Sequence, residues 1–169
     1  WGFHNSTVYV YSGSFGLYGL NKEYLAKLIK LIARSDRKAK FLFLLSNRKQ
    51  ELIDFIVDYD LEGILYRYDS PSPRELYKYL SAGDVGIHAL PPQLDAFSRL
   101  GTKIVEYWCC GMPTLINNHV GEAADISNKH QFGYVLDLDN DFSFDVDIMN
   151  FSKFDRNYIR QESLVLFGK

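Results

Sequence analysis

Apolar residues along this chain fall into two kinds of segment, short continuous runs and longer stretches in which they recur at helical spacing. The short runs are rich in β-branched, aromatic and aliphatic residues, which is typical of buried strands. They cover residues 7–12, 39–45, 64–68, 85–90, 114–117 and 133–136. Helical segments lie between them, so the alternation predicts an α/β fold with a doubly wound parallel sheet, Rossmann-like and covered by helices on both faces.

Two amphipathic helices are predicted between the first three strands. The first covers residues 21–35 with Asn21 as its N-cap. Its expected inward residues are Tyr24, Leu25, Leu28, Ile29 and Ile32. The second covers residues 49–59, and its expected inward residues are Leu52, Ile53, Ile56 and Val57.

Two further helix signals follow later in the chain. Ser72, Pro73 and Glu75 supply a serine cap, a proline at the first position and a glutamate three residues beyond the cap, which predicts a helix start. Residues 91–101 are predicted to form a long loop. Residues 151–167 are predicted to be helical and to lead the chain away from the sheet.

The stretch from residue 98 to residue 126 carries the candidate chemistry. Lys103 and Glu106 lie three residues apart and therefore share one face of a short helix. Lys103 occupies the first turn, where the helix dipole disfavours a cation unless an anion is held there by free backbone N–H groups. Glu106, one turn deeper, can accept hydrogen bonds from hydroxyls attached to that anion. A phosphate with a neighbouring diol describes a nucleotide. The alternative is an exposed ion pair that contributes a few tenths of a kcal/mol to stability.

Composition narrows the function classes. A length of 169 residues fits one domain. The formal net charge of −2 gives no basic face for nucleic acid.

The longest apolar run, residues 41–45, is far too short to span a membrane. The two cysteines, Cys109 and Cys110, are adjacent, which argues against a disulfide framework and favours a reducing cytoplasm. Because the chain begins with Trp1, we expect a fragment or a processed chain.

The same stretch resembles the donor-binding core of GT-B glycosyltransferases, in particular the retaining family 4. The matching pieces, in order, are Thr102-Lys103, Glu106-Tyr107, the Cys-Cys-Gly-Met-Pro turn at 109–113, the strand at 114–117 and Val120-Gly121-Glu122. The resemblance extends over residues 7–137 and implies the C-terminal half of a GT-B fold. It implies one nucleotide-sugar-binding domain over residues 1–169, with residues 151–169 a helix returning toward a missing N-terminal domain.

The resemblance also implies roles for particular residues. The family glutamate that matches Glu106 binds the ribose hydroxyls of the sugar nucleotide, and Lys103 with the Gly13-Ser14 turn would face the diphosphate. Ser98 stands where many members carry a further glutamate, and Gly101 stands where a proline is common. The remaining candidates for donor contacts are Thr102, Gly121, Arg67 and Arg99. For each arginine the alternative is an ordinary surface residue. The base is expected near residues 66–68.

Several kinds of site are not expected. The glycines from residue 13 to residue 19 are spaced G-x-x-G-x-x-G, which differs from the G-x-G-x-x-G of dinucleotide folds. The acidic segment at 137–141 lacks the glycine and glutamate of a calcium loop, so no metal site is predicted. His88 ends the fourth strand, where a lone histidine is more often structural than catalytic. No catalytic residue is assigned, and no cofactor is expected besides a nucleoside-diphosphate sugar as co-substrate.

These observations predict the donor-binding part of a hexosyl- or glycosyltransferase, inactive without its other domain. It would take a UDP- or GDP-sugar and deliver the sugar to a glycan or lipid-linked acceptor held by the N-terminal domain. The protein would be cytoplasmic, or peripheral at the inner face of the membrane in its full-length form. Two alternatives stay open: a GT-B-fold epimerase acting on a UDP-amino sugar, and a flavodoxin-like or receiver-like non-catalytic module. A receiver needs acidic residues after the first strand, and the sequence there has none.

Overall fold

A computed structural model describes residues 2–15, 22–46, 48–92, 100–139 and 150–168. The strands over these ranges are Thr7–Gly13 (β1), Ala39–Leu45 (β2), Tyr66–Asp69 (β3), Val85–His88 (β4), Thr114–Asn117 (β5) and Gly133–Leu136 (β6). The helices are Lys22–Ser35 (α1), Lys49–Asp58 (α2), Leu76–Ser81 (α3), Thr102–Cys109 (α4), Glu122–His130 (α5) and Arg156–Phe167 (α6). Single 3-10 turns occur at Asn118–Val120 and Phe151–Lys153. None of the described helices is long and apolar enough to cross a membrane.

The described strands form one parallel sheet in the order β3-β2-β1-β4-β5-β6. β1 pairs with β2 along its whole length, from Thr7 opposite Ala39 to Gly13 opposite Leu45. The strand order therefore reverses beside β1, which is the topological switch point of this class of sheet. A flavodoxin-like or receiver-like sheet has the order 2-1-3-4-5, so the topology argues against that alternative.

β1 and β4 separate before β1 ends. Their pairing consists of Tyr9 opposite Val85 and Val10 opposite Gly86. The last three residues of β1 therefore keep β2 as a neighbour but pair with no described residue of β4. This divergence opens a crevice at the carboxyl edge of the sheet.

The core lies on both faces of the sheet, which is why the strands are apolar runs without polar alternation. On one face, Tyr9 and Tyr11 of β1 pack with the buried residues of α1 and α2. On the other face, Val8 and Val10 pack against Tyr107 of α4 and the adjacent turn. A third cluster joins α4 and α6 to the segments on either side of α5 through Ile104, Trp108, Val120, Phe132 and Ile159.

The second helix buries a different face from the one predicted. Leu52 and Ile56 are buried as expected, but Ile53 is 39% exposed and Val57 is 57% exposed. Phe55 is buried instead, with its ring centroid 4.8 Å from that of Phe15. An aromatic ring buries more apolar area than either aliphatic side chain, so the helix is oriented by Phe55.

Other boundaries differ from the predictions by a few residues. The helix expected to start at Ser72 begins at Leu76. A turn precedes it, in which the Ser72 carbonyl accepts from the Glu75 and Leu76 N–H groups (2.9 and 3.0 Å) and the Ser72 hydroxyl donates to the Glu75 carboxylate (2.9 Å). The C-terminal segment is a 3-10 turn followed by α6, which packs on α4. The predicted cap Asn21 lies outside the described residues, and Tyr24 is only partly buried.

Candidate functional site

A cleft of about 570 Å³ lies at the carboxyl edge of the sheet, where β1 and β4 diverge. Its walls come from the ends of β1, β2 and β4, from the segment after β3, and from the first turns of α4. The lining residues are Tyr11, Ser12, Gly13, Ser14, Leu44, Leu45, Ser46, Pro71, Pro73, Leu76, His88, Thr102, Lys103 and Glu106. Open α/β sheets bind their ligands in this crevice, and the volume is in the range of small-molecule sites.

The N-terminus of α4 forms one wall of the cleft. Gly101 precedes the helix in an extended conformation, and it supplies no side chain to cap the first-turn amides. Its carbonyl accepts from the N–H groups of Ile104 and Val105 (2.9 and 3.3 Å). Thr102 and Lys103, ahead of these, line the cleft. Amides at a helix start suit an anion when no side chain caps them.

Lys103 and Glu106 bond to each other inside the cleft. Lys103 Nζ lies 2.9 Å from Glu106 Oε2 and 3.2 Å from Oε1. Their side chains are 33% and 39% exposed, so both remain accessible to a ligand. The aliphatic part of the Lys103 side chain lies beside Gly13: a Cβ added to Gly13 would be 3.7 Å from Lys103 Cγ. Gly13 has φ +143°, a conformation that favours glycine.

Tyr107 fixes α4 to the end of β1. Its ring is fully buried, and its Oη accepts a hydrogen bond of 2.7 Å from the Ser12 N–H. That N–H belongs to the part of β1 that has left β4, so the phenol satisfies a backbone donor that the sheet does not use. Burial raises the pKa of Tyr107, which keeps the phenol neutral. This hydrogen bond fixes the position of α4, and with it Lys103 and Glu106, relative to the turn at Gly13.

Asn117 fixes the exit of β4 in a similar way. Its side-chain amide donates to the Leu90 carbonyl (2.7 Å) and accepts from the Leu90 N–H (3.0 Å). Leu90 therefore bonds to a side chain of β5 and not to a strand neighbour, which explains why β4 ends at His88 and not at the predicted residue 90.

The structure brings together five of the nine predicted donor-binding residues. Gly13, Ser14, Thr102, Lys103 and Glu106 all line the cleft. Ser98 and Arg99 lie outside the described residues.

Two further predicted residues are placed elsewhere. Gly121 opens α5 with φ 59° and is not part of the cleft wall. Arg67 is exposed on the edge strand β3, where its guanidinium lies 5.8 Å from the Phe3 ring centroid and donates to the Tyr66 carbonyl. The structure therefore does not bring Arg67 to the cleft.

Several residues of the cleft wall were not predicted from the sequence. Ser46, Pro71 and Pro73 follow the ends of β2 and β3, and the position of a residue just after a parallel strand is the signal that could have found them. His88 was noticed at the end of β4 but not assigned to the site. Its Nδ1 atom is enclosed and has no hydrogen-bond partner within the described ranges, and burial lowers the pKa of its imidazole to about 4.

A second cavity of about 630 Å³ lies at the opposite edge of the sheet, beside the amino ends of β1 and β4. Its polar groups already have partners: Tyr9 Oη donates to Asp36 (3.2 Å), and Asp84 accepts from the Val8 N–H (2.8 Å). The Arg156 guanidinium donates to the Gly111 and Gly83 carbonyls. Two carboxylates and an arginine engaged by carbonyls make this cavity a poor anion site despite its larger volume.

No protein-family model and no curated protein match the sequence. Solved structures do match it. The catalytic domain of cholesterol-α-glucosyltransferase from Helicobacter pylori is 14% identical with a TM-score of 0.67, over 96% of this chain and 99% of that one. An α,α-trehalose-phosphate synthase (UDP-forming) from Burkholderia vietnamiensis is 11% identical with a TM-score of 0.63, over 97% and 42%. A protein assigned as a UDP-N-acetylglucosamine 2-epimerase from Listeria monocytogenes is 8% identical with a TM-score of 0.54, over 99% and 38%.

These similarities define the fold. The predicted α/β class is confirmed: the chain has the Rossmann-like parallel sheet of GT-B glycosyltransferases. It spans 38% of the length of the Listeria protein and 42% of the Burkholderia synthase. Membership of family 4 and the position as a C-terminal half stay predictions. Across the described ranges no three His, Cys, Asp or Glu side chains group as metal ligands, and the absence of a metal or cofactor stays a prediction as well.

Proposed function

We propose that this chain is the donor-binding domain of a glycosyltransferase and that its cleft binds a nucleoside-diphosphate sugar. One observation carries the proposal: a first-turn lysine and a glutamate one turn deeper lie in the same cleft, at the switch point of a Rossmann-like sheet. The similarity to a UDP-forming synthase and to a glucosyltransferase catalytic domain supports it.

The diphosphate would lie between the start of α4 and the Gly13 turn. Lys103 supplies the positive charge there, and the first-turn amides of α4 supply hydrogen-bond donors. Gly13 leaves room for the backbone to approach the phosphates closely. The same groups would stabilise the charge that develops on the leaving diphosphate during sugar transfer.

The ribose would lie one helical turn further along α4, where Glu106 accepts hydrogen bonds from its two hydroxyls. The Lys103–Glu106 bond then has to rearrange, since each partner turns to a different part of the ligand. Exposed ion pairs of this kind contribute only about 0.2–1 kcal/mol, so the rearrangement costs little.

The base would lie against the segment after β3. Pro71, Pro73 and Leu76 line that end of the cleft, opposite Leu45 and Ser46. Prolines and leucine offer an apolar surface for a planar ring. The base is therefore proposed to lie just beyond the residues 66–68 that the sequence suggested, and both UDP and GDP are candidate leaving groups.

Transfer itself needs more than this cleft. The acceptor, a glycan or a lipid-linked saccharide, is proposed to bind a second domain that faces the carboxyl edge of the sheet. Retention of configuration, as in family 4, is part of the proposal. The second candidate function is epimerisation of a UDP-amino sugar, which the Listeria match supports. The fate of the sugar separates the two: transfer releases UDP with each turnover, whereas an epimerase returns a UDP-sugar.

The proposal is tested by titrating UDP, GDP and uridine into the wild-type chain and Lys103→Ala by calorimetry. Lys103→Ala should weaken binding of the preferred diphosphate by about 1.5–3 kcal/mol and leave uridine binding nearly unchanged, because the lysine bonds to phosphate. Lys27→Ala is the matched control: Lys27 pairs with Glu23 (2.7 Å), is similarly exposed and lies on α1 away from the cleft. Equal losses for diphosphate and nucleoside would contradict the assignment.

A further inference from the structure

His88 is a polar residue in the cleft wall that has no role in the proposed contacts to the nucleotide. It ends β4, lines the cleft together with Lys103 and Thr102, and is partly exposed as a residue. Its Nδ1 atom, however, is enclosed and has no hydrogen-bond partner among the described residues. Of the two ring nitrogens, Nε2 is therefore the one left to face the cleft that His88 lines.

The ring is held in a set orientation. The rings of His88 and Tyr11 are nearly parallel, at 12°, with centroids 6.3 Å apart. Tyr11 is itself fixed, because its hydroxyl donates to the Ser14 carbonyl (2.7 Å) in the turn after β1. The imidazole, the Gly13-Ser14 turn and the start of α4 thus line the same cleft.

The protonation state of the ring follows from its surroundings. Burial lowers the pKa of His88 to about 4, so the imidazole is neutral at neutral pH and has one N–H. A buried N–H without an acceptor is costly, and the part of the chain that the structure describes offers the enclosed Nδ1 no acceptor. The proton therefore belongs on Nε2, which makes His88 a neutral hydrogen-bond donor at the cleft surface.

An oxygen acceptor is the complement of such a donor, and the ligand group richest in acceptors is a phosphate. Lys103 and the first-turn amides already favour an anion in this part of the cleft. A neutral donor adds a directed bond to a phosphoryl oxygen without a second positive charge. The lowered pKa does not disfavour this role, since donation needs the neutral ring only.

We propose that His88 donates a hydrogen bond from Nε2 to a phosphoryl oxygen of the diphosphate that Lys103 binds, and so helps to select diphosphates over nucleosides. The inference rests on the proposed function. It concerns a binding residue, and no proton transfer is involved.

The test uses the four histidines of the chain, labelled with ¹⁵N in the ring. Addition of UDP to the wild-type protein should change the Nε2 shift of His88, and addition of uridine should not. His130, which contacts Glu162 on α6, serves as the internal reference. This measurement needs no variant and is therefore independent of any effect of substitution on folding.

Binding of UDP to His88→Phe gives a second measurement. Phenylalanine keeps a ring beside Tyr11 but removes the donor, so UDP affinity should fall about tenfold while uridine affinity is unchanged. His88→Gln, which restores an N–H near the Nε2 position, should recover part of the loss. If UDP binds the wild type but leaves the His88 ring shift and the His88→Phe affinity unchanged, the inference is wrong and the proposed function stands. If neither UDP nor GDP binds the wild type, both are wrong.

Discussion

Lys103 and Glu106 are each other's partner across one turn of α4, and this pairing shapes how the cleft would discriminate among ligands. A ligand that offers only an anion draws Lys103 away and leaves the Glu106 carboxylate without a partner. A ligand that offers only a diol does the reverse. A nucleoside diphosphate satisfies both groups together, which is the physical reason for its selection.

Glu106→Gln should therefore separate ligands by their hydroxyls. UDP affinity should fall by about 1–3 kcal/mol, because a carboxylate-to-hydroxyl bond is charge-assisted and an amide-to-hydroxyl bond is not. A 2′,3′-dideoxy uridine diphosphate should bind wild type poorly and be indifferent to the substitution. Inorganic pyrophosphate should bind the variant at least as well as wild type, since Lys103 no longer has a charged partner.

The matched control for this variant is Glu23→Gln, which disrupts the Lys27 ion pair on α1 and should leave all three affinities unchanged. Thermal unfolding should show a change within about 0.5 kcal/mol for either variant. Equal losses of UDP and its dideoxy analogue in Glu106→Gln would show that Glu106 does not bind the ribose.

His88 should also make stability depend on pH. Its pKa is about 4 in the folded chain and about 6.5 when unfolded, so between these values the unfolded state binds more protons. The contribution of the neutral imidazole to the free energy of unfolding is complete above pH 6.5 and is lost as pH falls toward 4. Its upper limit is about 3 kcal/mol. In urea unfolding from pH 7 to pH 4.5, His88→Phe should therefore lose less stability than wild type. Parallel pH profiles would contradict a buried neutral imidazole.

At the scale of elements, the position of α4 depends on close contact between Gly86 and Tyr107. A Cβ added to Gly86 would lie 2.6 Å from Tyr107 Cγ, far inside van der Waals contact. Tyr107 cannot easily move, because it is buried and its Oη accepts from the Ser12 N–H. The glycine thus lets α4 approach β4 closely enough for its first turn to reach the cleft.

Gly86→Ala should destabilise the fold by about 1–3 kcal/mol through overpacking, and it should weaken UDP binding by displacing α4. Gly63→Ala is the control, since a Cβ there has no atom within 4 Å. Urea unfolding followed by circular dichroism measures both variants. Equal stability of the two would show that α4 tolerates displacement from β4.

The sequence predicted elements best where one strong local signal decides them. The bounds of β2, β5 and β6 are as predicted because each is a compact apolar run. The predicted orientation of α2 was wrong. The helix buries Phe55 and exposes Ile53 and Val57, because Phe55 contacts aromatic rings that are distant in the sequence.

The residues of the cleft also divide into those that a local sequence signal predicts and those that depend on long-range contacts. Lys103 and Glu106 could be placed on one helix face because their spacing is local. The role of Tyr107 as an acceptor for the Ser12 N–H joins residues 95 positions apart and has no local signal. The sequence could not assign His88 to the cleft, because the cleft depends on the divergence of β1 and β4.

At the scale of the whole molecule, α6 packs on the side of α4 that faces away from the sheet. Ile159 packs with Ile104 and Trp108, and the rings of Trp108 and Phe167 stack at 6.1 Å. The helix that carries Lys103 and Glu106 therefore lies between the sheet and α6. The two cavities lie at opposite edges of the sheet, so a ligand that binds one cannot touch the other.

Backbone amide chemical-shift mapping during titration with UDP tests the central claim most directly. Binding at the carboxyl edge predicts shift changes at residues 12–14, at Ser46 and at Thr102, Lys103 and Glu106, which line the cleft. The amides of Ser6, Asp36 and Phe151, which line the other cavity, should stay unchanged. Changes confined to those three residues, or no changes at any UDP or GDP concentration, would contradict the account.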